Sequence, residues 1–283
     1  MNVEQLNQIR HVALDMDGTI YKGRTLFEFT PAFLDQLSQK GIGYTFLTNN
    51  SSKSAQDYIR HLRGMGIEAT PEQIYTSGLC TIHYLRTAHP RLRRLFVVGT
   101  PSLCREFELA GYVVVPESDE PEAVIVGFDT GLTYSRLCQA AYWIRQGKIF
   151  IATHPDFTCP TDQPTVLVDC GSVCAALTAA TKRRPEAVLG KPDPLMLEGL
   201  LARHRLAPHQ LAMVGDRLMT DIAMARAAGA VGVLVLTGEA TLEDAERSEI
   251  RPDLVVPSIR ELGELLGGGA VLADVERWID GAK

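Results

Sequence analysis

HVALDMDGTIYKG, residues 11–23, is the stretch whose reading decides the fold. Val12 to Leu14 is a short apolar run that gives way to Asp15 and Asp17 and then to Gly18-Thr19, the pattern of a buried strand passing into a tight loop. Open α/β sheets place their ligands beyond the carboxyl ends of strands, so the two carboxylates are candidate functional residues on this stretch alone. At i and i+2 of an extended chain they point the same way and repel each other when both are ionised. A divalent cation, or a proton held by one of them, relieves that repulsion, and either arrangement suits a nucleophile working beside an acid. The competing reading is a plain polar turn, since Asp and Gly are the usual turn formers.

Outward from this loop the chain alternates. Thr30-Pro31 reads as a helix start, and AFLDQLSQKG carries apolar residues at helical spacing, closed by Gly41. Tyr44 to Leu47 is a second apolar strand, ending in Thr48-Asn49-Asn50-Ser51-Ser52, and a helix is predicted over 53–65. Strand, helix, strand, helix with short joins is the signature of a parallel sheet. The 48–52 cluster suits either an anion held by a hydroxyl and amides or ordinary helix capping.

From about Leu79 to Lys182 the alternation restarts, with strands predicted at 95–98, 112–115, 123–126 and 149–152 and helices at 101–110 and 134–146. The block has its own loops, GFDTG at 127–131 and ATHPDFTCPTDQP at 152–164. The early pattern then resumes. A strand at 187–189 leads into Gly190-Lys191-Pro192-Asp193-Pro194 and a helix near 195–204. A strand at 211–214 runs into GDRLMTD, 215–221, and a further helix. Strands at 231–236 and 254–256 follow, then a helix from about Ser258 and a last amphipathic helix after Gly269. The domains expected are therefore a core over 1–78, an inserted α/β domain over 79–182 and the rest of the core over 183–283.

The chain has 283 residues, 46% of them apolar, and a net charge of −6. That is enough for one large or two ordinary domains, and the mild acidity argues against a nucleic-acid surface. The basic clusters near Arg91–Arg94 and Lys182–Arg184 have no aromatic stripe beside them and read as solvated faces. Six scattered cysteines without a CxxC pair indicate reduced thiols. The start, MNVEQLNQIR, has no apolar h-region, and the longest uncharged run, 227–238, is too short to span a bilayer. The expectation is a cytoplasmic protein with no membrane or nucleic-acid partner. There is no Walker A, GxGxxG or HExxH pattern, and the histidines are unclustered, which argues against imidazole metal sites.

Four loops, each ambiguous alone, together supply paired carboxylates, a hydroxyl with amides, a lysine and two more carboxylates. The ordered set DMDGT (15–19), LTNNS (47–51), GKPDP (190–194) and GDRLMTD (215–221) resembles the haloacid dehalogenase (HAD) superfamily of phosphatases. The block between the second and third motifs looks like the α/β cap of its NagD-type subfamily, which also includes p-nitrophenyl phosphatases. The resemblance covers nearly the whole chain and implies a Rossmann-like parallel-sheet core with an inserted cap.

The resemblance implies Asp15 as the nucleophile that forms an aspartyl-phosphate on a small phosphomonoester of sugar- or polyol-phosphate type. Mg²⁺ would be held by Asp15, the backbone carbonyl of Asp17 and Asp216. Asp17 would protonate the leaving alcohol and then activate water. Lys191, Thr48 and the Asn49 amide, helped by Asn50, would bind the phosphoryl oxygens. Asp221 would steer the metal-bound water or Lys191. A homodimer through the cap is expected by similarity. Substrate choice is assigned to the cap loops, where Asp129, His154 and Asp156 are candidate contacts, with turn formation as the competing reading for the two aspartates. Two rivals stand beside hydrolysis: a phosphomutase or phosphotransferase of the same superfamily, and a non-catalytic capped binding domain.

Overall fold

The computed structural model describes residues 3–159, 165–270 and 274–275. The helix predicted after Gly269 falls mainly outside the described residues, as do 160–164 of the 152–164 loop. The chain divides into two compact units, Met1–Leu47 with Leu62–Ile74 and Leu197–Lys283, and Thr48–His61 with Tyr75–Met196. The second unit thus takes in segments on both sides of the 79–182 block.

The first unit is built on a sheet with strand order Leu254–Val256, Val231–Val235, Leu211–Gly215, His11–Asp15, Gly43–Thr48, Ile74–Thr76. His11–Asp15 is parallel to both of its neighbours, and the outer strands Val231–Val235 and Leu254–Val256 continue the parallel run. Its residues 12–14 are fully buried, as are Leu211 to Val214 and Val233 to Val235, the continuous apolar pattern of strands covered on both faces. The chain leaves His11–Asp15 towards Gly43–Thr48 on one side, and its later strands add on the other. That reversal of strand order opens a crevice at the carboxyl end of His11–Asp15.

The predicted strands of this sheet all form. The strand Ile74–Thr76 and the helix Ser77–Ala88 were not legible. Ser77–Ala88 spans the predicted start of the inserted block at Leu79, and its sequence mixes buried Gly78 and Thr81 with apolar positions, which blurs the helical stripe.

The second unit carries a five-stranded parallel sheet of order Ala187–Val188, Ile149–Ala152, Ala123–Val126, Arg94–Val98, Val113–Val114. Its core gathers Phe96, Val124, Val126, Trp143, Ile144 and Phe150 with Val173 and Leu177 of the helix Cys170–Thr181. The strand read at 187–189 as a resumption of the first sheet is parallel to Ile149–Ala152 instead. A two-residue strand carries too little pattern to reveal its partner. Among the described residues no helix is long and apolar enough to cross a membrane.

Candidate functional site

In the first unit the parallel register pairs Leu14 with Val214, so Asp15, ending one strand, and Asp216, just past its neighbour, emerge side by side. The chain after Asp216 makes a π-helical turn, Leu218–Ile222, a form that recurs at functional sites. This turn swings Asp221 back, where its Oδ2 accepts the Arg217 N–H at 3.1 Å. The result is a group of three carboxylates, Asp15, Asp216 and Asp221, offering oxygens within 4.8 Å of one another. Asp216 is 3% exposed and Asp221 fully buried.

The glycines around them are sites of close approach. A Cβ on Gly215 would lie 2.3 Å from the Asp221 carboxyl carbon, and one on Gly238 would lie 1.9 Å from Asp216 Oδ2. Gly18, at φ +89°, would put a Cβ 2.4 Å from the same oxygen. The loop after Val231–Val235 closes over these aspartates. Glu239 N–H donates to Asp216 Oδ2 at 2.7 Å, Ala240 N–H to the Asp216 carbonyl at 3.0 Å, and Thr237 Oγ1 to the Gly18 carbonyl at 2.5 Å. Sequence reading missed this 237–240 loop; its only signal is that it follows an adjacent parallel strand.

Arg217, also missed, pairs through Nε with Glu239 Oε2 at 2.9 Å. Burial works against its charge, yet Glu239, Asp216, Asp15 and Asp221 together raise its pKa. Thr19 Oγ1 lies 3.5 Å from Asp15 Oδ2. Asp17 stands apart from the three: its side chain is exposed, and Oδ1 accepts the Gly23 N–H at 3.3 Å. An all-oxygen set of three close carboxylates fits a hard divalent cation, to which they would offer ligand oxygens.

The other predicted residues lie in the second unit. Thr48 Oγ1 accepts the Asn50 N–H at 3.1 Å, and Asn50 Oδ1 accepts both the N–H and the O–H of Ser52, at 3.0 and 2.6 Å. Asn50's oxygen is thus engaged in a local cap. Asn49 reaches much further along the chain. Its Oδ1 accepts the Lys191 N–H at 2.6 Å, and its Nδ2 donates to the Lys191 carbonyl at 2.9 Å and to Asp156 Oδ2 at 3.0 Å. Both amide hydrogens and the oxygen are used, which leaves the Asn49 main-chain N–H as its route to a ligand. Lys191 is 5% exposed. Gly190, at φ +73°, would set a Cβ 2.7 Å from Asn49 Oδ1, so only glycine admits this approach.

Of the cap-loop candidates, Asp129 is held internally. Its Oδ2 accepts Arg136 Nη1 at 2.7 Å and its Oδ1 the Gly131 N–H at 2.9 Å. His154, fully buried, contacts Thr153 Oγ1 through Nδ1 at 2.8 Å and Asp169 Oδ1 through Nε2 at 2.9 Å.

Comparison with known proteins fits this geometry. A haloacid dehalogenase-like hydrolase family model matches residues 12–113, and a second, HAD-hydrolase-like model matches 188–262. An acid sugar phosphatase of Staphylococcus aureus is 31% identical over 261 residues, covering 92% of this chain and 98% of the relative. The crystal structure of a 4-nitrophenylphosphatase from Thermotoga maritima superposes with a TM-score of 0.87 at 42% identity, over 92% of this chain and 98% of that one. A glycerol phosphate phosphatase of Mycobacterium tuberculosis, solved with magnesium, gives 0.84 at 34% identity, over 92% and 78% of the two chains.

Proposed function

Since this chain belongs to the haloacid dehalogenase-like hydrolases, among their NagD-like phosphatases, we propose that it is a Mg²⁺-dependent phosphatase whose nucleophile is Asp15 and whose substrate is a small sugar- or polyol-phosphate. The observation that carries the reading is the convergence of Asp15, Asp216 and Asp221 at neighbouring strand tips. Three carboxylates gathered there offer a ready set of oxygen ligands for a cation. The donor set and the magnesium in the mycobacterial relative's structure support Mg²⁺.

In the proposed mechanism Asp15 attacks phosphorus, and the ester oxygen leaves with a proton from Asp17. The exposed position of Asp17 at the loop suits transfer to a leaving alcohol and, in the second half-reaction, removal of a proton from the water that hydrolyses the acyl-phosphate. Asp15, Asp216 and the Asp17 carbonyl would hold the metal, with Asp221 orienting its water. A cation held there would offset the repulsion between the Asp15 carboxylate and the anionic ester. Lys191, Thr48 and the Asn49 N–H are assigned to the phosphoryl oxygens. Support for Lys191 is that its main chain is pinned on both sides by Asn49, which keeps a flexible side chain at a defined origin. The five-stranded unit is assigned as the cap that reads the leaving group, and a cytoplasmic homodimer is the accompanying proposal.

The test is a panel of phosphate esters assayed for inorganic phosphate with Mg²⁺ and with a chelator, beside Asp15→Asn. Release of phosphate from a sugar or polyol ester without any acceptor supports hydrolysis. Transfer only to a second sugar would establish a phosphotransferase instead. Full activity in Asp15→Asn would remove the assigned nucleophile.

A further inference from the structure

Within the second unit, the 153–156 segment is fastened at both ends. On one side Thr153 Oγ1 meets Ser51 Oγ at 3.2 Å, and Ser51 Oγ accepts the Phe128 N–H at 2.9 Å. Asp156 Oδ2 takes an amide hydrogen of Asn49 at 3.0 Å. On the other side the His154 ring spans from Thr153 to Asp169, and the Asp156 carbonyl accepts the Gly171 N–H at 2.8 Å. Asp169 is the N-cap of the helix Cys170–Thr181, its carboxylate also accepting the Cys170 N–H at 2.6 Å. A Cβ on Gly171 would strike the Pro155 carbonyl oxygen at 2.2 Å, so glycine is needed for the loop to lie this close to the helix start.

Asp169, His154 and Thr153 are each at most 3% exposed. A buried imidazole and carboxylate bonded to each other and to further partners form a rigid element, because breaking any one bond strands a polar group away from water. The network reaches Lys191 through Asp156 and Asn49. Two residues after His154, Asp156 grips Asn49, and Asn49 grips the main chain of Lys191 on both sides. A carboxylate on Nδ2 also fixes which way the Asn49 amide faces, since the flipped amide would set its oxygen against Asp156 and its NH₂ against the Lys191 N–H.

We propose that the His154–Asp169 pair is a positioning device for Lys191: it holds the 153–156 segment so that Asp156 orients the Asn49 carboxamide, which fixes the backbone from which the Lys191 ammonium extends to a phosphoryl group. The proposal rests on the reading of Lys191 as a phosphoryl ligand. Neither His154 nor Asp169 touches the substrate; both act through Asp156 and Asn49.

The experiment is a double-mutant cycle on the full chain, read as affinity for inorganic phosphate by calorimetry with Mg²⁺ present. Variants are His154→Gln, Asp156→Ala and Lys191→Met, singly and with each of the first two combined with the third. Calorimetry of phosphate needs no turnover, so it is independent of Asp15 chemistry. Each of His154→Gln and Asp156→Ala is expected to weaken phosphate binding about tenfold in the otherwise native chain and to cause no further loss once Lys191→Met is present. Equal losses in both backgrounds would show a general structural role and overturn the proposal, as would unchanged affinity in the single variants. If His154→Gln fails to fold, Asp156→Ala, at a partly exposed side chain, decides the matter alone. Native phosphate affinity in Lys191→Met would instead refute the assignment of Lys191, an outcome distinct from the others.

Discussion

In the first unit Asp15, Asp216 and Asp221 crowd three like charges at strand tips, with Arg217 shared among them and Glu239. In the second unit three carboxylates each meet a donor: Asp169 faces His154, Asp156 faces Asn49 and Asp129 faces Arg136. The contrast separates two uses of buried polarity. A matched network stabilises one geometry and rigidifies what it touches. A cluster of like charges gathered at one place is instead suited to binding a cation. Glycines occur at both, at positions 18, 215 and 238 in one and 190 and 171 in the other, because in both cases chain must pass within contact distance of a carboxylate, carboxamide or carbonyl group.

The largest effect that sharpens this comparison is Asp15→Asn. The isostere leaves the fold intact by circular dichroism and lowers turnover at least about 10³-fold, because an amide is no nucleophile towards phosphorus. Next is Asp216→Asn. Mg²⁺ is expected to raise the melting temperature of the native protein by mass action, by the equivalent of about 2.7 kcal/mol at a hundredfold excess over Kd. The variant should lose most of that increment, and a Mg²⁺ response equal to the native one would break the assignment of the carboxylates to metal.

Gly238→Ala places a methyl group where Asp216 Oδ2 sits, 1.9 Å away. It should destabilise the protein by about 1–3 kcal/mol in denaturant unfolding, the usual cost of forcing atoms into filled space. The matched alanine at Gly64, whose Cβ meets nothing within 4 Å, should cost far less.

The smallest effect is in pH, where the two units place buried histidines in opposite fields. His11 stacks on His204 at 4.1 Å and bonds Thr45, and burial with the positive charges of His204 and Arg203 lowers its pKa to about 4. Burial also opposes the charge of His154, but the Cys170 sulfur, the hydrogen bond and charge of Asp169 and the charge of Asp156 outweigh it and raise its pKa to about 9. Cys174 packs beside Cys170 on the same helix. The signs follow from proton linkage, with 6.5 as the unfolded value. His11's neutral site is fully stabilising above pH 6.5 and loses that contribution as pH falls towards 4. His154's contribution is full below pH 6.5 and is lost as pH rises through 9. Stability should therefore fall on both sides of pH 6.5, with His154→Gln flattening the alkaline limb and His11→Gln the acid limb of a melting-temperature profile.

The sequence alone determined the alternation of strands and helices, because apolar runs of four or five residues closed by Gly, Asn or Asp are local signals. It also placed Asp15, Thr48, Lys191 and Asp216 at strand or loop ends, since motif position depends only on those local patterns. Tertiary structure alone decided the rest. The family resemblance already assigned Asp221 to the metal site, but the π turn and side-chain-free Gly215 that bring it to Asp15 and Asp216 belong to the fold, and that Asn49 holds Lys191, 142 residues away, follows from loop packing. So does the assignment of Ala187–Val188 to the sheet of Ile149–Ala152. The physical reason is one of range: backbone propensity and apolar spacing act over a few residues, whereas a carboxylate's neighbours are chosen by how sheets and loops pack, which no short window of sequence contains.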